Sequence, residues 1–412
     1  MTTRILLLFS TLCVFLAACS DKKQSTKSTT TEAIITSDYA DSIHTALSKQ
    51  YNNGHLPGFA VSIFSKDSVY FTRGYGYADV ENKTPYNEHT IQGIASISKT
   101  LVAMALMKAI EDDIVALDDD INTILPYDVS HPNHPETPIT LRHLATHTSS
   151  INDDVNYNKA YIFDEKLDYD EFPAAWEDHI TKYNANEPMS MAEFLRHNFG
   201  KWTAEETYLD HKPGTHYEYS NIAVALLAHC LELKLGKEFK DITQELILDP
   251  LGMKHSGWSY KMVEQDNQAV FYNEIYNIVP NYYAITYPDG GLYTTVHELT
   301  TYMQDIMQGY YGQGSLLQPE SYTRMMTNQI PDVPTATGVI WDLDIACCIG
   351  HGGNDFGIAT LAYFGPKSGL GKILFTNLSI EKEEQGDQFF LIFNEMFAYD
   401  NMIASANGNT DE

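Results

Sequence analysis

The chain has 412 residues and a formal net charge of −29, because 55 Asp and Glu residues outnumber 26 Lys and Arg residues. This length provides one large domain or two to three ordinary ones, and a hydrophobic content of 43% is enough for a sizeable core. No basic stripe offsets the acidity, which argues against direct nucleic-acid binding. Five cysteines are too few for a disulfide scaffold, and no CxxC pair suggests a zinc site.

The first residues have the pattern of an export signal. Arg4 gives a positive start, the apolar stretch 5–15 is too short to span a bilayer, and small residues precede Cys19. This pattern resembles a bacterial lipobox and predicts a lipoprotein signal peptide over residues 1–18 with a lipid on Cys19. The alternative is an ordinary signal peptide with a chance cysteine. The expected location is the bacterial cell envelope, with the lipid anchoring the protein to a membrane on the periplasmic or surface-exposed side.

Residues 39–400 remain for one folded domain. A polar segment rich in Ser, Thr and Lys predicts a disordered tether over residues 19–38, and a disordered tail is expected over residues 401–412. The cysteines inside the domain could pair in an oxidising compartment, but buried and inert thiols are expected. They are Cys230, Cys347 and Cys348.

Strand patterns lie at both ends of this domain. The β-rich runs 59–64 and 69–75 flank a turn and predict a hairpin. Near the other end, the runs 357–364 and 372–378 flank a Gly- and Pro-containing turn and predict a second hairpin.

Helical patterns occupy the middle and the end of the domain. Residues 100–112 and 222–235 are apolar nearly all round and predict buried helices, and 385–399 predicts a helix with one apolar face. The expected fold is therefore α+β, with an antiparallel sheet built from the N- and C-terminal segments, flanking helices and an inserted, mainly helical subdomain. The acidic stretch 152–200 has no clear periodicity and is interpreted as an insertion, either a lid or a substrate-facing loop.

Ser96 and Lys99 form an SxxK motif at the start of the first buried helix. Positions three apart share a helix face, so Ser96 Oγ and Lys99 Nζ can meet. An apolar helix would desolvate Lys99 and lower its pKa, which makes a base available beside a hydroxyl nucleophile. The alternative is a helix-capping serine followed by a solvated lysine.

Tyr219 and Asn221 lie on one side of the extended chain before the second buried helix. A tyrosine beside a lysine ammonium would be stabilised as a phenolate and could pass protons. An asparagine amide can hold a substrate carbonyl or the lysine. The alternative is a packing tyrosine and a helix-capping asparagine.

His351, Gly352, Gly353 and Asn354 precede the penultimate strand. Two glycines let a substrate backbone approach a strand edge closely. The N–H of Asn354 could pair with the N–H of Ser96 as an oxyanion hole. The alternative is a strand bulge with a structural histidine.

In this order, the three motifs resemble those of the serine β-lactamase and penicillin-binding-protein superfamily. The closer resemblance is to its class-C-like branch, which includes D-alanyl-D-alanine carboxypeptidases, D-aminopeptidases and lactamase-fold esterases, and in which the motifs are SxxK, YxN and KTG or HxG. The resemblance covers roughly residues 40–400 and implies a β-lactamase/transpeptidase-like fold. Other segments are also similar to family patterns: 90–100, 139–149, 213–214, 250–253 and 290–295.

The resemblance implies a role for each matched residue. Ser96 would be the acylated nucleophile, and Lys99 and Tyr219 would share the general base and acid work. The implied reaction is attack on an amide or ester carbonyl, formation of an acyl-enzyme and its hydrolysis, with no metal or organic cofactor. The residues expected to bind and orient a small-molecule or peptide substrate are Asn221, His351, Gly353 and Asn354.

Departures from the family pattern affect the expected substrate. His351 stands where class C β-lactamases have lysine, and histidine is mostly neutral near pH 7. The acidic insertion would repel an anionic substrate and could attract a free amine. The sequence therefore favours peptides containing a D-amino acid, or esters, over β-lactams. The alternative is a non-catalytic lipoprotein that binds peptides or peptidoglycan through an inactive hydrolase fold.

Two further details concern the segment 139–149. His143 and His147 are four residues apart, but no glutamate completes an HExxH frame, so a structural role is expected for both. Ser150 stands where a glycine usually follows the family's His-Thr-Ser sequence.

Overall fold

A computed structural model describes residues 37–345, 348–398 and 400. The predicted signal peptide, nearly all of the predicted tether and the predicted tail lie outside the described residues, as do Cys19 and Cys347.

The described residues form an α+β fold, as the sequence predicts. The strands are β1 (Gly58–Phe64), β2 (Val69–Asp79), β3 (Thr84–Pro85), β4 (Gln92–Gly93), β5 (Tyr161–Phe163), β6 (Tyr282–Ala284), β7 (Tyr293–Thr294), β8 (Asp342–Ile345), β9 (Cys348–Asp355), β10 (Ile358–Gly365) and β11 (Leu370–Thr376). The α-helices are α1 (Ser37–Tyr51), α2 (Lys99–Glu111), α3 (Leu141–Ala145), α4 (Glu177–Asn184), α5 (Met191–Gly200), α6 (Ala204–Thr207), α7 (Asn221–Leu235), α8 (Phe239–Thr243), α9 (Asp249–Leu251), α10 (Val296–Tyr310), α11 (Pro319–Met325) and α12 (Glu383–Phe397).

One seven-stranded antiparallel sheet joins the two ends of the chain in the order β3-β2-β1-β11-β10-β9-β8. β1 lies near its centre, where Val61 faces Arg73 of β2 on one side and Leu374 of β11 on the other. Both predicted hairpins, β1–β2 and β10–β11, are confirmed. β9, which carries His351, lies between β10 and the edge strand β8 and contacts the turn Ala95–Ser98.

Successive side chains along each strand point to opposite faces of the sheet, and each face packs into its own hydrophobic core. Phe59, Val61 and Ile63 of β1 face the smaller core, which α1 and α12 cover. Ala60 and Phe64 face the larger core, which includes nearly all of α2 and much of α7 and α10. The second face therefore holds the helical region from which two of the three motifs come.

The two buried helices begin and end within one residue of their predicted bounds. α2 and α7 pack against each other, and neither has a polar face along most of its length. α7 ends at Gly236, whose φ of 67° is the left-handed conformation that glycine adopts at helix ends. None of the described helices has the length and apolar character needed to cross a membrane.

The acidic stretch 152–200 is a packed part of the domain. β5 pairs with β6, which ties the stretch to residues 282–284. The ring of Phe356, in the turn after β9, contacts a group of rings from both segments at centroid distances of 5.2 to 5.6 Å: Tyr161, Phe163, Trp176, Tyr183 and Tyr282. The insertion is thereby anchored to the β9–β10 turn by aromatic contacts.

The cysteines of the described domain are in two states. Cys230 is a free, buried thiol in α7, as expected. Cys348 is disulfide-bonded, so the expectation of an inert thiol is wrong there.

Candidate active site

Ser96 lies in a 3₁₀ turn, Ala95–Ser98, that leads directly into α2 at Lys99. Ala95 has a φ of 47°, a left-handed conformation that residues other than glycine adopt rarely and that costs free energy. A hydrogen bond ties the turn to the segment before β7, because Ser98 Oγ accepts from the N–H of Leu292 at 3.1 Å. Ser96 itself remains partly exposed. A strained turn thus presents the hydroxyl of Ser96 at the surface of the larger core.

Lys99 is 0% exposed, so the alternative of a solvated lysine is wrong. Its Nζ donates to Ser96 Oγ at 3.0 Å and to the backbone oxygen of Asp289 at 2.5 Å. Burial lowers the pKa of Lys99 to about 8, against the opposing effect of the carboxylates of Asp289, Asp153 and Asp355. A substantial share of Lys99 is therefore neutral near pH 8 and able to take a proton from Ser96.

Tyr219 faces the same pair. Lys99 Nζ lies 5.1 Å from the centroid of its ring. The Tyr219 hydroxyl is buried without a hydrogen-bond partner among the described residues, although Ser96 lies close enough to oppose the rise of its pKa. Burial raises that pKa well above 10, so the expectation of a phenolate is wrong. Tyr219 is a neutral phenol, which can donate a proton but holds it too tightly to act as the resting base.

His147 packs against Tyr219 with ring centroids 4.3 Å apart. The backbone N–H of Ser220 donates to His147 Nδ1 at 3.2 Å, which places the ring proton on Nε2. Burial and the nearby charges of Lys99 and His351 lower the pKa of His147 well below its usual value, so the ring is neutral. The contact with Tyr219 was not expected from the sequence, which predicts only a structural role for His147. The histidine at the start of a family-like His-Thr-Ser sequence was the signal that could have indicated it.

Two residues around this segment adopt left-handed backbone conformations. His147 has a φ of 55° and Ser150 a φ of 62°. The second value is a conformation that glycine adopts at little cost, which fits the glycine that the family resemblance implies at the position of Ser150. Ser150 occupies it with its Oγ bonded to the backbone oxygen of His211 at 2.6 Å.

β9 runs past the Ser96 turn and carries the third motif. A side chain at Gly353 would collide with the backbone oxygen of Ile94 and with Thr360 Oγ1, so only glycine allows this close approach. His351 is buried, and its Nδ1 donates to the backbone oxygen of Gly352 at 2.6 Å. Burial lowers the pKa of His351, which makes it neutral at pH 7, as the sequence analysis expected. Asn354 lies opposite Ala359 in the sheet.

The start of α7 is fixed by a carboxylate. Ser220 is the N-cap, accepting from the N–H of Ala223, so the alternative of an N-cap role for Asn221 is wrong. Asp153 accepts the Ser220 hydroxyl at 2.8 Å and the backbone N–H groups of Asn221 and Ile222 at 2.5 and 3.2 Å. A residue of the acidic insertion thereby holds the segment that carries Tyr219 and Asn221.

Three carboxylates that the sequence analysis did not single out surround Lys99. They are Asp153, Asp289 and Asp355, and burial raises the pKa of each to about 6. Tyr157, from the insertion, donates to Asp289 Oδ1 at 2.8 Å. The other oxygen, Oδ2, is buried without a partner of hydrogen-bond geometry among the described residues. The site is therefore strongly acidic once these groups ionise.

The hydroxyl, amine, phenol and carboxyl groups of this site are suited to nucleophilic and acid–base catalysis. Among the described residues, no group of three or more His, Cys, Asp or Glu side chains could hold a metal ion.

Comparison with known proteins identifies the family. The Beta-lactamase family model matches residues 43–394. The chain belongs to the Beta-lactamase family. "Protein flp" of Staphylococcus aureus (strain MW2) is 24% identical over 358 residues, which are 84% of this chain and 65% of that relative, so the chain spans less than two thirds of its length.

Solved structures with low sequence identity share the fold. The octameric penicillin-binding protein homologue from Pyrococcus abyssi superposes with a TM-score of 0.68 at 23% identity, over 86% of this chain and 77% of that one. The D-amino acid amidase from Ochrobactrum anthropi SV3, solved with L-phenylalanine amide, superposes with a TM-score of 0.64 at 19% identity, over 88% of this chain and 99% of that one. These similarities confirm the β-lactamase/transpeptidase-like fold predicted from the sequence.

The structure brings most of the predicted site residues of this Beta-lactamase family member together. Ser96, Lys99 and Tyr219 converge, and β9 carries His351 past them. Asn221 lies at the start of α7 beside Tyr219, held there through its backbone.

Proposed function

We propose that this chain is a serine hydrolase that cleaves an amide or an ester through an acyl-enzyme on Ser96. The observation that carries the proposal is the 3.0 Å contact between Ser96 Oγ and the Nζ of a fully buried lysine with a pKa of about 8. Burying a lysine that has no carboxylate in direct contact costs free energy and does not stabilise the fold. A lysine that acts as a general base, in contrast, needs a pKa near the operating pH.

The first half of the reaction follows from these two groups. Neutral Lys99 takes the proton of Ser96 Oγ, and Oγ forms a bond to the substrate carbonyl carbon. The N–H groups of Ser96 and Asn354 would stabilise the negative charge that develops on the carbonyl oxygen. The neutral phenol of Tyr219 is suited to protonate the leaving nitrogen or oxygen as its bond to the carbonyl carbon breaks.

The second half releases the acyl group. The proton that Lys99 took from Ser96 passes to the Tyr219 oxygen, which replaces the proton given to the leaving group and makes Lys99 neutral again. Water then loses a proton to Lys99 as its oxygen attacks the acyl carbon, and the bond to Ser96 Oγ breaks as that oxygen takes the proton from Lys99. The net change is addition of one water across the substrate's amide or ester bond, so no oxidant or reductant is required.

Open-chain amides and esters that lack a carboxylate fit this site better than β-lactams, which carry one. His351 is neutral and lies on β9 at the position of the third motif, so it supplies no permanent cation for a carboxylate. The acidic groups around Lys99 would repel such a carboxylate further. An amide-cleaving activity named for one structural neighbour, the D-amino acid amidase, is consistent with this preference.

The sequence also supports a proposal about location. The N-terminal pattern that ends at Cys19 favours export and lipid attachment in a bacterial envelope, ahead of a tethered domain over residues 39–400. Metabolic labelling with a clickable fatty acid would test it: the wild type should take up the label, and Cys19→Ala should not.

The test of the activity is a comparison of the wild type with Ser96→Ala on a chromogenic ester, a D-alanyl peptide and a chromogenic cephalosporin. Turnover should fall at least 1,000-fold in Ser96→Ala (a loss on the order of that for other serine nucleophiles), and a fluorophosphonate should label the wild type on Ser96 only. Ser68→Ala, in the exposed turn of the first hairpin, is the matched control. Undiminished hydrolysis by Ser96→Ala would exclude the mechanism. No turnover, together with no labelling of Ser96, would favour the binding-protein alternative.

A further inference from the structure

Asp289 joins the lysine of the site to the insertion. It ends the 3₁₀ turn Tyr287–Asp289, is 0% exposed, and its backbone oxygen accepts from Lys99 Nζ at 2.5 Å. Its side-chain Oδ1 accepts from the hydroxyl of Tyr157 at 2.8 Å. One residue therefore contacts the base through its backbone and the stretch 152–200 through its carboxylate.

Tyr157 is held in place by backbone and ring contacts. It begins a 3₁₀ turn, and its N–H donates to the backbone oxygen of Asp153 at 3.1 Å. The turn ends at Ala160, whose backbone oxygen accepts from the N–H of Ile285 at 2.8 Å. The ring of Tyr161 packs edge-on against that of Tyr157, with centroids 5.5 Å apart. These contacts fix the position from which the hydroxyl reaches the carboxylate.

The hydrogen bond between Tyr157 and Asp289 has one direction. Burial raises the pKa of Tyr157 well above 10, so its hydroxyl keeps its proton and donates. Burial also raises the pKa of Asp289 to about 6, and both Lys99 and the Tyr157 hydroxyl oppose that rise. A donated hydrogen bond stabilises a carboxylate more than a carboxylic acid. The hydroxyl therefore favours the charged form of Asp289.

The charge of Asp289 acts in turn on the base. Burial lowers the pKa of Lys99 to about 8, and Asp289 makes the largest contribution that opposes this effect. Without the hydroxyl of Tyr157, more of Asp289 would be protonated near pH 7. Lys99 would then have less counter-charge and would release its proton at lower pH.

Other titratable groups surround Asp289 and Lys99. They come from the insertion, from the segments after α3 and before α7, and from β9: Asp153, Tyr161, His147, Tyr219, His351 and Asp355. Of these, Asp153 and Asp355 have pKa values of about 6 and change charge in the same pH range as Asp289. Removing the Tyr157 hydroxyl with and without the carboxylate of Asp289 separates its effect from theirs.

We propose that Tyr157 is a positioning residue of this site: its hydroxyl holds Asp289 as a carboxylate beside Lys99 and so controls how readily the base gives up its proton. This inference rests on the proposed function and adds a residue of the insertion that regulates the same site. The stretch 152–200 then tunes the base, in addition to its place in the fold.

Labelling of Ser96 by a neutral alkyl fluorophosphonate measures the base without a known substrate. In the wild type, the rate constant should rise with pH to a plateau, with a midpoint near pH 8 as Lys99 loses its proton. In Tyr157→Phe, the midpoint should move to lower pH by roughly half a unit. At pH 7 the variant should then reach about twice the wild-type fraction of its plateau rate.

Tyr322→Phe is the matched control. Tyr322 also donates from a buried hydroxyl to a buried aspartate, Asp305, but this pair joins α11 to α10. Its loss should leave the midpoint in place. Asp289→Asn should lower the midpoint by roughly one unit, and Tyr157→Phe/Asp289→Asn should have the same midpoint as Asp289→Asn alone.

Three outcomes would contradict the inference. A lower plateau in Tyr157→Phe with an unchanged midpoint would show that the residue acts through packing alone. A further shift on the Asp289→Asn background would show that the effect does not pass through the carboxylate. Absence of Ser96 labelling in the wild type at every pH would overturn the proposed function, and the inference with it.

Urea unfolding gives a readout that needs no reaction at Ser96. Tyr157→Phe should lower the urea midpoint more at pH 7.5, where Asp289 is a carboxylate, than at pH 4.5, where it is protonated. On the Asp289→Asn background, the loss should be the same at both pH values. A loss in Tyr157→Phe that does not depend on pH would overturn the inference whether or not Ser96 reacts.

Discussion

At the scale of single residues, the protonation of Lys99 is set by its neighbours as much as by its burial. Asp289 makes the largest opposing contribution, so it keeps the pKa of Lys99 higher than burial alone would. Asp289→Asn should lower this pKa, because the carboxylate that stabilises the ammonium is removed.

The expected result is a shift of the pH–rate profile. With a neutral ester, the limb of kcat/KM that rises as Lys99 loses its proton should move from about pH 8 to lower pH, by roughly one unit. Asp387→Asn makes the same change at an exposed residue of α12 and should leave the limb in place. A shift to higher pH would contradict the assignment of Lys99 as the base.

His147 offers a second prediction at this scale. His147→Phe keeps a ring against Tyr219 but leaves the Ser220 N–H without its acceptor, and His147→Asn keeps an acceptor but loses the ring. Both should lower kcat by about ten-fold with little change in KM, because His147 orients Tyr219 rather than binding substrate. His89→Asn, on the exposed surface, is the control. A rise in KM with unchanged kcat would instead indicate a substrate-binding role.

The charge at position 351 can be changed to test the substrate preference. Since the buried ring is neutral, His351→Lys would introduce a cation at the third-motif position. The ratio of cephalosporin to neutral ester turnover should rise several-fold. The two substrates are assayed side by side on purified wild type and variant. An unchanged ratio would show that the neutral ring of His351 does not set the preference against carboxylate-bearing substrates.

The residues of the site differ in how far the sequence could predict them. Ser96 and Lys99 lie one helical turn apart, so local geometry alone brings them together. Asp153 and Asp289 belong to no motif, and tertiary packing alone places them beside Lys99. The phenolate expected at Tyr219 was wrong for a related reason, because the depth at which the hydroxyl is buried depends on the packing of His147 and β9.

At the scale of elements, the cap of α7 couples the insertion to catalysis. Asp153→Ala would remove the acceptor of three hydrogen bonds at the start of this helix. We expect a loss of about 1–3 kcal/mol in the free energy of unfolding. We also expect a fall in kcat, since the residue just before the capped segment is Tyr219.

Urea unfolding and ester hydrolysis measure the two effects together. Asp154→Ala, at the exposed neighbouring residue, should change neither. Full activity in Asp153→Ala would show that the cap does not position Tyr219.

Elements with strong patterns were predictable, and those that depend on packing were not. α2 and α7 follow from long apolar runs and the hairpins from β-rich runs around turns. The stretch 152–200 has no periodicity, because its short elements are held by ring contacts to Phe356 and by pairing with β6. Residues more than a hundred positions away supply that order.

At the scale of the whole molecule, the buried carboxylates link stability to pH. The pKa of Asp355 is about 6 in the folded protein, against 3.8 when free, so unfolding releases its proton between about pH 4 and pH 6. Folded stability therefore falls as pH rises through this window, and the cost is fully present above pH 6. Asp355→Asn removes a charge that the fold buries.

We expect Asp355→Asn to be more stable than the wild type by about 1–3 kcal/mol at pH 7.5, with the difference shrinking towards zero at pH 4. Urea unfolding at pH 4.5, 6 and 7.5 measures it, and Asp387→Asn should differ from the wild type by the same small amount at every pH. A gain that is independent of pH would point to packing rather than charge.

The central position of β1 governs how the chain can fold as it is synthesised. β1 is complete at Phe64, but its partner β11 begins at Leu370, roughly 300 residues later. Until that strand leaves the ribosome, the first hairpin has an open edge, which other chains can pair with. The chain is therefore open to edge-to-edge pairing for most of the time that translation takes. We expect a product truncated before Leu370 to keep this open edge and to be prone to aggregation.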